Sequence, residues 1–162
     1  MSVKHQAGFS LIELLIVVAI IGIIAAIAIP NLLASRRAAN EGSAQASIRM
    51  IHTSEALYQA TSGGGAYGNL ATLYSEALVD PVLGQADSAP KSGYIFDIID
   101  ISGVGGTAQF GAYGVPIVSS GITQTGTRRF GITHSGVLRA DNSVLTPPAD
   151  AAEIDTMSPT GN

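Results

Sequence analysis

From Phe9 to Ile29 the chain runs for 21 residues interrupted only by Ser10, Glu13 and Gly22, with no Lys or Arg. As a helix rising about 1.5 Å per residue, that run is roughly 30 Å long, the thickness of the hydrocarbon core of a bilayer. A secretory signal would have a shorter apolar region followed by a small-residue cleavage site. Here Pro30-Asn31 and then helix-favouring residues follow, so the run is expected to stay on the protein as a membrane span. The other reading, a core helix that is apolar all round, needs a wrapping that nothing else in the 162 residues is large enough to supply. Glu13 alone fits neither reading, because a lone carboxylate stands where it is costly.

Composition narrows the remaining possibilities. Mean hydropathy is +0.35 and 12% of residues are charged, values that suit a chain living partly out of water. Net charge is −4 without a basic block, so no specific nucleic-acid site is expected. With no Cys, neither a disulfide framework nor a thiolate metal site can form. Charge and glycine are unevenly spread. Residues 63–162 hold nine acids against Lys91, Arg128, Arg129 and Arg139, and 16 of the 19 glycines. Residues 31–62 hold Arg36, Arg37 and Arg49 against Glu41 and Glu55. The change of character puts a boundary near Gly63.

Residues 31–62 are rich in Ala, Leu, Arg, Glu and Gln, all good helix formers. Ala44, Ser47, Ile48, Ile51 and Tyr58 share one face, with Met50 and Leu57 beside them. That wide apolar arc suits a helix that covers a sheet on one side and meets another helix on the other. Gly63-Gly64-Gly65 should end it. Gly22 and Pro30 are weak points within it, and Pro30 removes one backbone bond and should kink the helix. Lys4 before the span and Arg36 and Arg37 after it weakly favour a cytoplasmic C-terminal side.

Lys4, then Gly8-Phe9-Ser10-Leu11-Ile12-Glu13-Leu14, then an apolar run to Pro30, resembles the class III leader of type IV pilins and the related pseudopilins. The resemblance covers residues 4–62. It implies that residues 1–8 are a leader which a prepilin peptidase cuts between Gly8 and Phe9 on the cytoplasmic side, N-methylating Phe9. It reverses the orientation suggested by Arg36 and Arg37: the leader stays inside and the rest lies outside. The mature chain would lose Lys4 and carry −5 by side chains. The resemblance also gives Glu13 a partner, the new amine at Phe9, on a neighbouring subunit or on its own chain. A lone carboxylate in hydrocarbon costs on the order of 3 kcal/mol. An ammonium at about 4 Å returns roughly 4 kcal/mol at an effective dielectric near 20. So close a balance makes the pair a register device more than a source of stability; protonation of Glu13 near the headgroups is the plainer alternative. Between Gly22 and Pro30 the resemblance implies a stretch that loses helical order in filaments, which makes both residues candidate flexibility points.

Beyond Gly65, Leu70, Leu73, Tyr74, Ala77 and Leu78 mark a short amphipathic helix with Asn69 as N-cap, ended by Asp80-Pro81. Strands are predicted at Tyr94 to Ile99, Phe110 to Val118, Arg129 to Thr133 and Val137 to Arg139, with Tyr94, Phe96 and Ile98 on one face and Phe130 and Ile132 inward. The predicted fold is α+β: a long N-terminal helix over about residues 9–62, packed on a small antiparallel sheet of about four strands. The predicted organisation is a leader at 1–8, a transmembrane and polymerisation half-helix at 9–30, an amphipathic half-helix at 31–62 and a globular α+β domain at 63–162. The stretch from GYxF to TGTRRFGITHSGVLRAD resembles, more loosely, the globular domains of type IVa-like pilins. Many of those close a C-terminal loop with a disulfide, which this chain cannot form. The tail from Pro147 to Asn162 is expected to be flexible or strapped over the sheet.

No cluster in the sequence reads as catalytic, and no cofactor is called for. His5, His52 and His134 are scattered. Ser135 beside His134 with Asp141 near lacks a nucleophile elbow. Asp141, Asp150, Glu153 and Asp155 do not have the spacing of a calcium loop, although major pseudopilins of type II secretion hold calcium. Gly103, Gly105 and Gly106 precede no helix and make no phosphate loop. The resemblance implies a structural subunit of a type IV pilus and not an enzyme: an inner-membrane precursor, then an extracellular filament serving adhesion, motility or DNA uptake. The alternative is a pseudopilin of a type II secretion system. Implied partners are other copies of the chain, the prepilin peptidase and methyltransferase, an inner-membrane assembly platform with minor pilins, and lipid before assembly.

Overall fold

A computed structural model describes residues 8–85, 90–143 and 145–160. Lys4, His5 and the rest of the expected leader up to residue 7 lie outside these. The chain divides into two compact units, one ending at Ser35 and the other beginning at Arg36. Helix α1, Leu11–Ala60, is assigned continuously and contains Pro30. In the first unit every large apolar side chain from Phe9 to Leu32 is exposed by half or more of its surface. Among the described residues this is a helix apolar all round and unburied, long and apolar enough to cross a membrane.

The second unit is the expected α+β fold, with five strands where about four were predicted. Helix α2 is Leu70–Ser75. Strands β1 (Tyr94–Ser102), β2 (Gln109–Pro116), β3 (Arg129–Thr133) and β4 (Arg139–Asp141) follow. A short helix α3, Ala151–Thr156, and a two-residue strand β5, Ser158–Pro159, complete it. The sheet order is β1-β2-β3-β4-β5, antiparallel throughout. The fourth strand falls two residues later than its apolar residues suggested, because Arg139 to Asp141 pair with β3 while Val137 and Leu138 lie outside the ladder. The tail is strapped down and supplies the fifth strand. Asn69 caps α2 as expected, its Oδ1 accepting the Thr72 N–H at 2.8 Å.

The sheet's two faces explain both helices that cover it. On the first face Phe96, Gly114, Phe130 and Ala140 lie in one cross-strand row, and Ile98, Ala112 and Ile132 in the next. The α1 stripe of Ala44, Ile48 and Ile51 joins these in the main core, closed at one end by Leu70, Leu73 and Leu83. Gly114 makes the seat. A Cβ there would lie 2.8 Å from the Phe96 ring, closer than such contacts allow, and a tight 3.2 Å from Ile48 Cδ1. On the opposite face Gly111 and Gly131 flank Tyr113 in the pleat. A Cβ on Gly131 would come within 2.7 Å of Ile154, so the two glycines form the notch that receives α3. Ile154, fully buried, and Met157 then make a second core with Tyr113 and Val115.

Gly114→Ala is expected to destabilise the folded unit by about 1–3 kcal/mol through overpacking. Gly106→Ala, where a Cβ meets nothing within 4 Å, should leave stability unchanged. Denaturant midpoints of the two variants in detergent check this. Equal midpoints would mean that the helix seat does not depend on the missing methyl.

Candidate functional site

The N-terminal residues singled out in the sequence come together at one helix end. Gly8, Phe9 and Ser10 precede α1, and Phe9 is 83% exposed. The Ser10 carbonyl accepts the N–H of Leu14 at 3.3 Å, which makes Ser10 the N-cap. Glu13 reaches back from the first turn, and its Oε2 accepts the Ser10 N–H at 2.9 Å. This is one half of a capping box, Ser-x-x-Glu, and it places a negative group at the positive end of a long helix. Glu13 Oε1 has no hydrogen-bond donor among the described residues. The Ser10-x-x-Glu13 spacing is itself the sequence signal for this cap.

Further along, Gly22 has nothing within 4 Å of where its Cβ would be. Pro30 carries no N–H, so the Ala26 carbonyl four residues back loses its helix donor. In the same turn the Asn31 side-chain amide donates to the Ile27 carbonyl at 3.0 Å.

Among the described residues of the second unit, the acids considered in the sequence are committed to structural partners. Glu41 accepts the Thr127 N–H at 2.7 Å and its hydroxyl at 2.6 Å, and takes Arg128 as a two-pronged partner at 2.8 and 3.0 Å. Burial alone would raise its pKa, but the Thr127 hydroxyl and N–H and then the Arg128 guanidinium hold it below the ordinary value. This cluster ties α1 to the segment entering β3.

The C-terminal strap is fastened by a second cluster around Arg129, whose side chain is only 3% exposed. Arg129 donates to Asp141 at 3.0 Å, to Glu153 at 2.7 Å and to the Thr146 carbonyl at 2.9 Å. Asp150 caps α3 through the Glu153 N–H, and Glu153 accepts the N–H of Ala149, both at 2.7 Å. Asp155 pairs with Arg139 at 3.4 Å and accepts the Thr133 hydroxyl at 3.1 Å. Arg139 also donates to the Met157 carbonyl at 3.1 Å. The four carboxylates considered for calcium are therefore spent on capping, on Arg129 and on Arg139. Ser135 shares its hydroxyl with Thr133 at 2.8 Å, and Asp141 faces Arg129 and Ser143, so His134, Ser135 and Asp141 make no relay.

Comparison with known proteins agrees with the N-terminal geometry. Residues 3–29 match the prokaryotic N-terminal methylation motif. The chain is 63% identical over 38 residues to the type IV wide pilus major component PilA4 of Thermus thermophilus, covering 24% of this chain and 29% of that protein. It is 48% identical over 51 residues to the type IV major pilin protein PilA of Myxococcus xanthus, covering 32% and 23%. It is 33% identical over 55 residues to the competence protein ComGC of Halalkalibacterium halodurans, covering 34% and 54%. The chain spans under a third of the first two relatives. No solved structure gives a significant match. The motif and these relatives support a type IV pilin, and the long helix on an antiparallel sheet is pilin-like. Those two relatives are structural proteins by name and not enzymes.

The Arg129 cluster predicts how the strap fails. The Ser143 hydroxyl and N–H, and then Arg129, hold Asp141 down to about 2 from 3.8. The Ala149 N–H and then Arg129 hold Glu153 below its ordinary value. Both acids have lowered folded pKa values, so their stabilisation is present above the unfolded values and is lost as pH falls. For Asp141 that window runs from 3.8 down to about 2. Arg129→Met should cost at least the roughly 1.5–3 kcal/mol of one charge-assisted hydrogen bond and open residues 142–160 to protease at neutral pH. The wild type should do so only in that acid window. Equal cleavage of both proteins at neutral pH would remove the clamp from the account.

Proposed function

We propose that this chain is the structural subunit of a type IV pilus. Residues 9–30 hold it in the inner membrane as a precursor, with the N-terminus cytoplasmic. It is then cut between Gly8 and Phe9, methylated at Phe9, and polymerised with copies of itself on a membrane assembly platform with minor pilins. One observation carries this reading: a helix apolar on every side, exposed, with one carboxylate at its start. Lipid can cover such a helix before assembly, and other copies of it can do so afterwards.

Glu13 has two tasks in this reading. Its Oε2 caps its own helix, and its free oxygen receives the Phe9 amine of a neighbouring subunit in the same layer. The two tasks separate by chemistry. A glutamine at position 13 keeps a carbonyl acceptor for the Ser10 N–H and loses the charge. The second reading is a pseudopilin of a type II secretion system, which shares the N-terminal methylation motif and pushes substrates rather than forming long surface fibres.

Surface-sheared material examined by electron microscopy and mass spectrometry distinguishes these readings. The pilus reading expects abundant fibres containing a peptide that begins at methylated Phe9; absence of fibres from cells that make the processed protein favours the pseudopilin. Within the pilus reading, Glu13→Gln should insert and be processed but fail to polymerise. Fibres at the wild-type level from Glu13→Gln would reduce the residue to a helix cap. Gly8→Val should accumulate in the membrane at precursor size, and a mature-size band would move the cut elsewhere.

A further inference from the structure

Glu55 lies near the end of α1 with no exposed surface. Its Oε2 accepts the N–H of Gly68 at 3.0 Å. Its Oε1 is also buried and has no hydrogen-bond partner. Among the described residues no cation answers the carboxyl: burial pushes it up to about 7, and only the Gly68 N–H opposes that. The nearest titratable groups along the surrounding elements are Arg49, which is exposed, His52 and Tyr58 on α1, Tyr67 on the loop, Tyr74 and Glu76 at the end of α2, and His134 after β3. His52 is itself held toward its neutral form, first by burial, against a hydrogen bond that its ring donates to the His134 carbonyl. A carboxylate here would have one hydrogen bond, an orphan oxygen and no counter-charge, whereas the neutral acid avoids most of that desolvation cost.

The loop that Glu55 holds has few other anchors. Gly63 and Gly65 bond back to the Tyr58 and Gln59 carbonyls at the helix end. The Gly65 carbonyl accepts the Gly105 N–H at 2.8 Å, and the Tyr67 ring lies 4.6 Å from that of Phe110. Gly64 and Gly65 have φ of 59° and 94°, so the backbone at the hinge is one that glycine adopts without strain.

We propose that Glu55 is a proton-held latch: as the neutral acid it seats residues 63–69 on α1, and loss of its proton frees that loop. Ionised, Glu55 recovers its hydration only by letting the loop lift away from it. The closed loop therefore holds the proton up to about pH 7, and the open one only to about 4.5. Closure is strongest below 4.5, weakens by up to about tenfold per pH unit between those values, and levels off above 7. The latch belongs to the folded unit and does not depend on polymerisation.

Hydrogen exchange with mass spectrometry on the full chain in detergent tests the latch, with rates corrected for the intrinsic pH dependence of amide exchange. In the wild type, protection of residues 63–69 relative to β2 should fall across pH 4.5 to 7 and then stay level. Glu55→Gln keeps an acceptor for the Gly68 N–H and cannot ionise, so its profile should be flat. Should that variant not fold, the infrared carboxyl band of carbon-13-labelled wild type serves instead. Disappearance of a buried-acid component in step with loop opening supports the latch. A flat wild-type profile, an identical fall in Glu55→Gln, or no labelled component distinct from the surface acids overturns it.

Discussion

A helix with an exposed, unburied apolar surface is the constraint on which every functional conclusion about this chain depends. Burying one large aliphatic side chain is worth about 1.5–3 kcal/mol. From Phe9 to Leu32 such side chains follow one another almost without a break, so covering them is worth on the order of tens of kcal/mol. Against that, the roughly 3 kcal/mol cost of one carboxylate in hydrocarbon is small. The apolar surface decides that the segment leaves water. Glu13 cannot reverse that; in the filament we propose, it sets the register in which copies pack, because a misplaced copy leaves its charge unanswered.

The folded unit solves a separate problem, packing a sheet on both faces without a disulfide. Missing methyl groups shape each seat: Gly114 under Ile48 on one face, Gly111 and Gly131 under Ile154 on the other. Charge then fastens what packing positions. Glu41 binds α1 to the segment before β3, and Arg129 binds the strap to the sheet through partners 12, 17 and 24 residues away. The clamp and the buried Glu55 respond oppositely to protons. Protonation loosens the Arg129 cluster and favours the closed 63–69 loop, so the two ends of the unit have different pH ranges in which they are tightest.

Local signals were legible in the sequence. The span, the glycine stop after residue 62, the Asn69 cap and the inward faces of β1 and β3 all follow from periodicity and capping chemistry. The fifth strand and α3 were missed because two and six residues are too few to show a period. The Asp150-x-x-Glu153 spacing did mark a helix start, as Ser10-x-x-Glu13 did at the other end of the chain. The Arg129 cluster was not legible, since no local pattern says which acid an arginine will meet across a sheet. Glu55 was hidden for the same reason: on a helix rich in polar residues its burial depends on a loop returning 13 residues later.

The central claim is that the apolar half-helix is covered by copies of itself after assembly. A helical reconstruction of the filament tests this most directly. The account predicts residues 9–35 bundled at the axis, the unit from Arg36 onward outside, and each Glu13 carboxylate within hydrogen-bonding distance of a neighbour's Phe9 amine. Apolar segments on the outer surface, or Glu13 facing no amine, would contradict it.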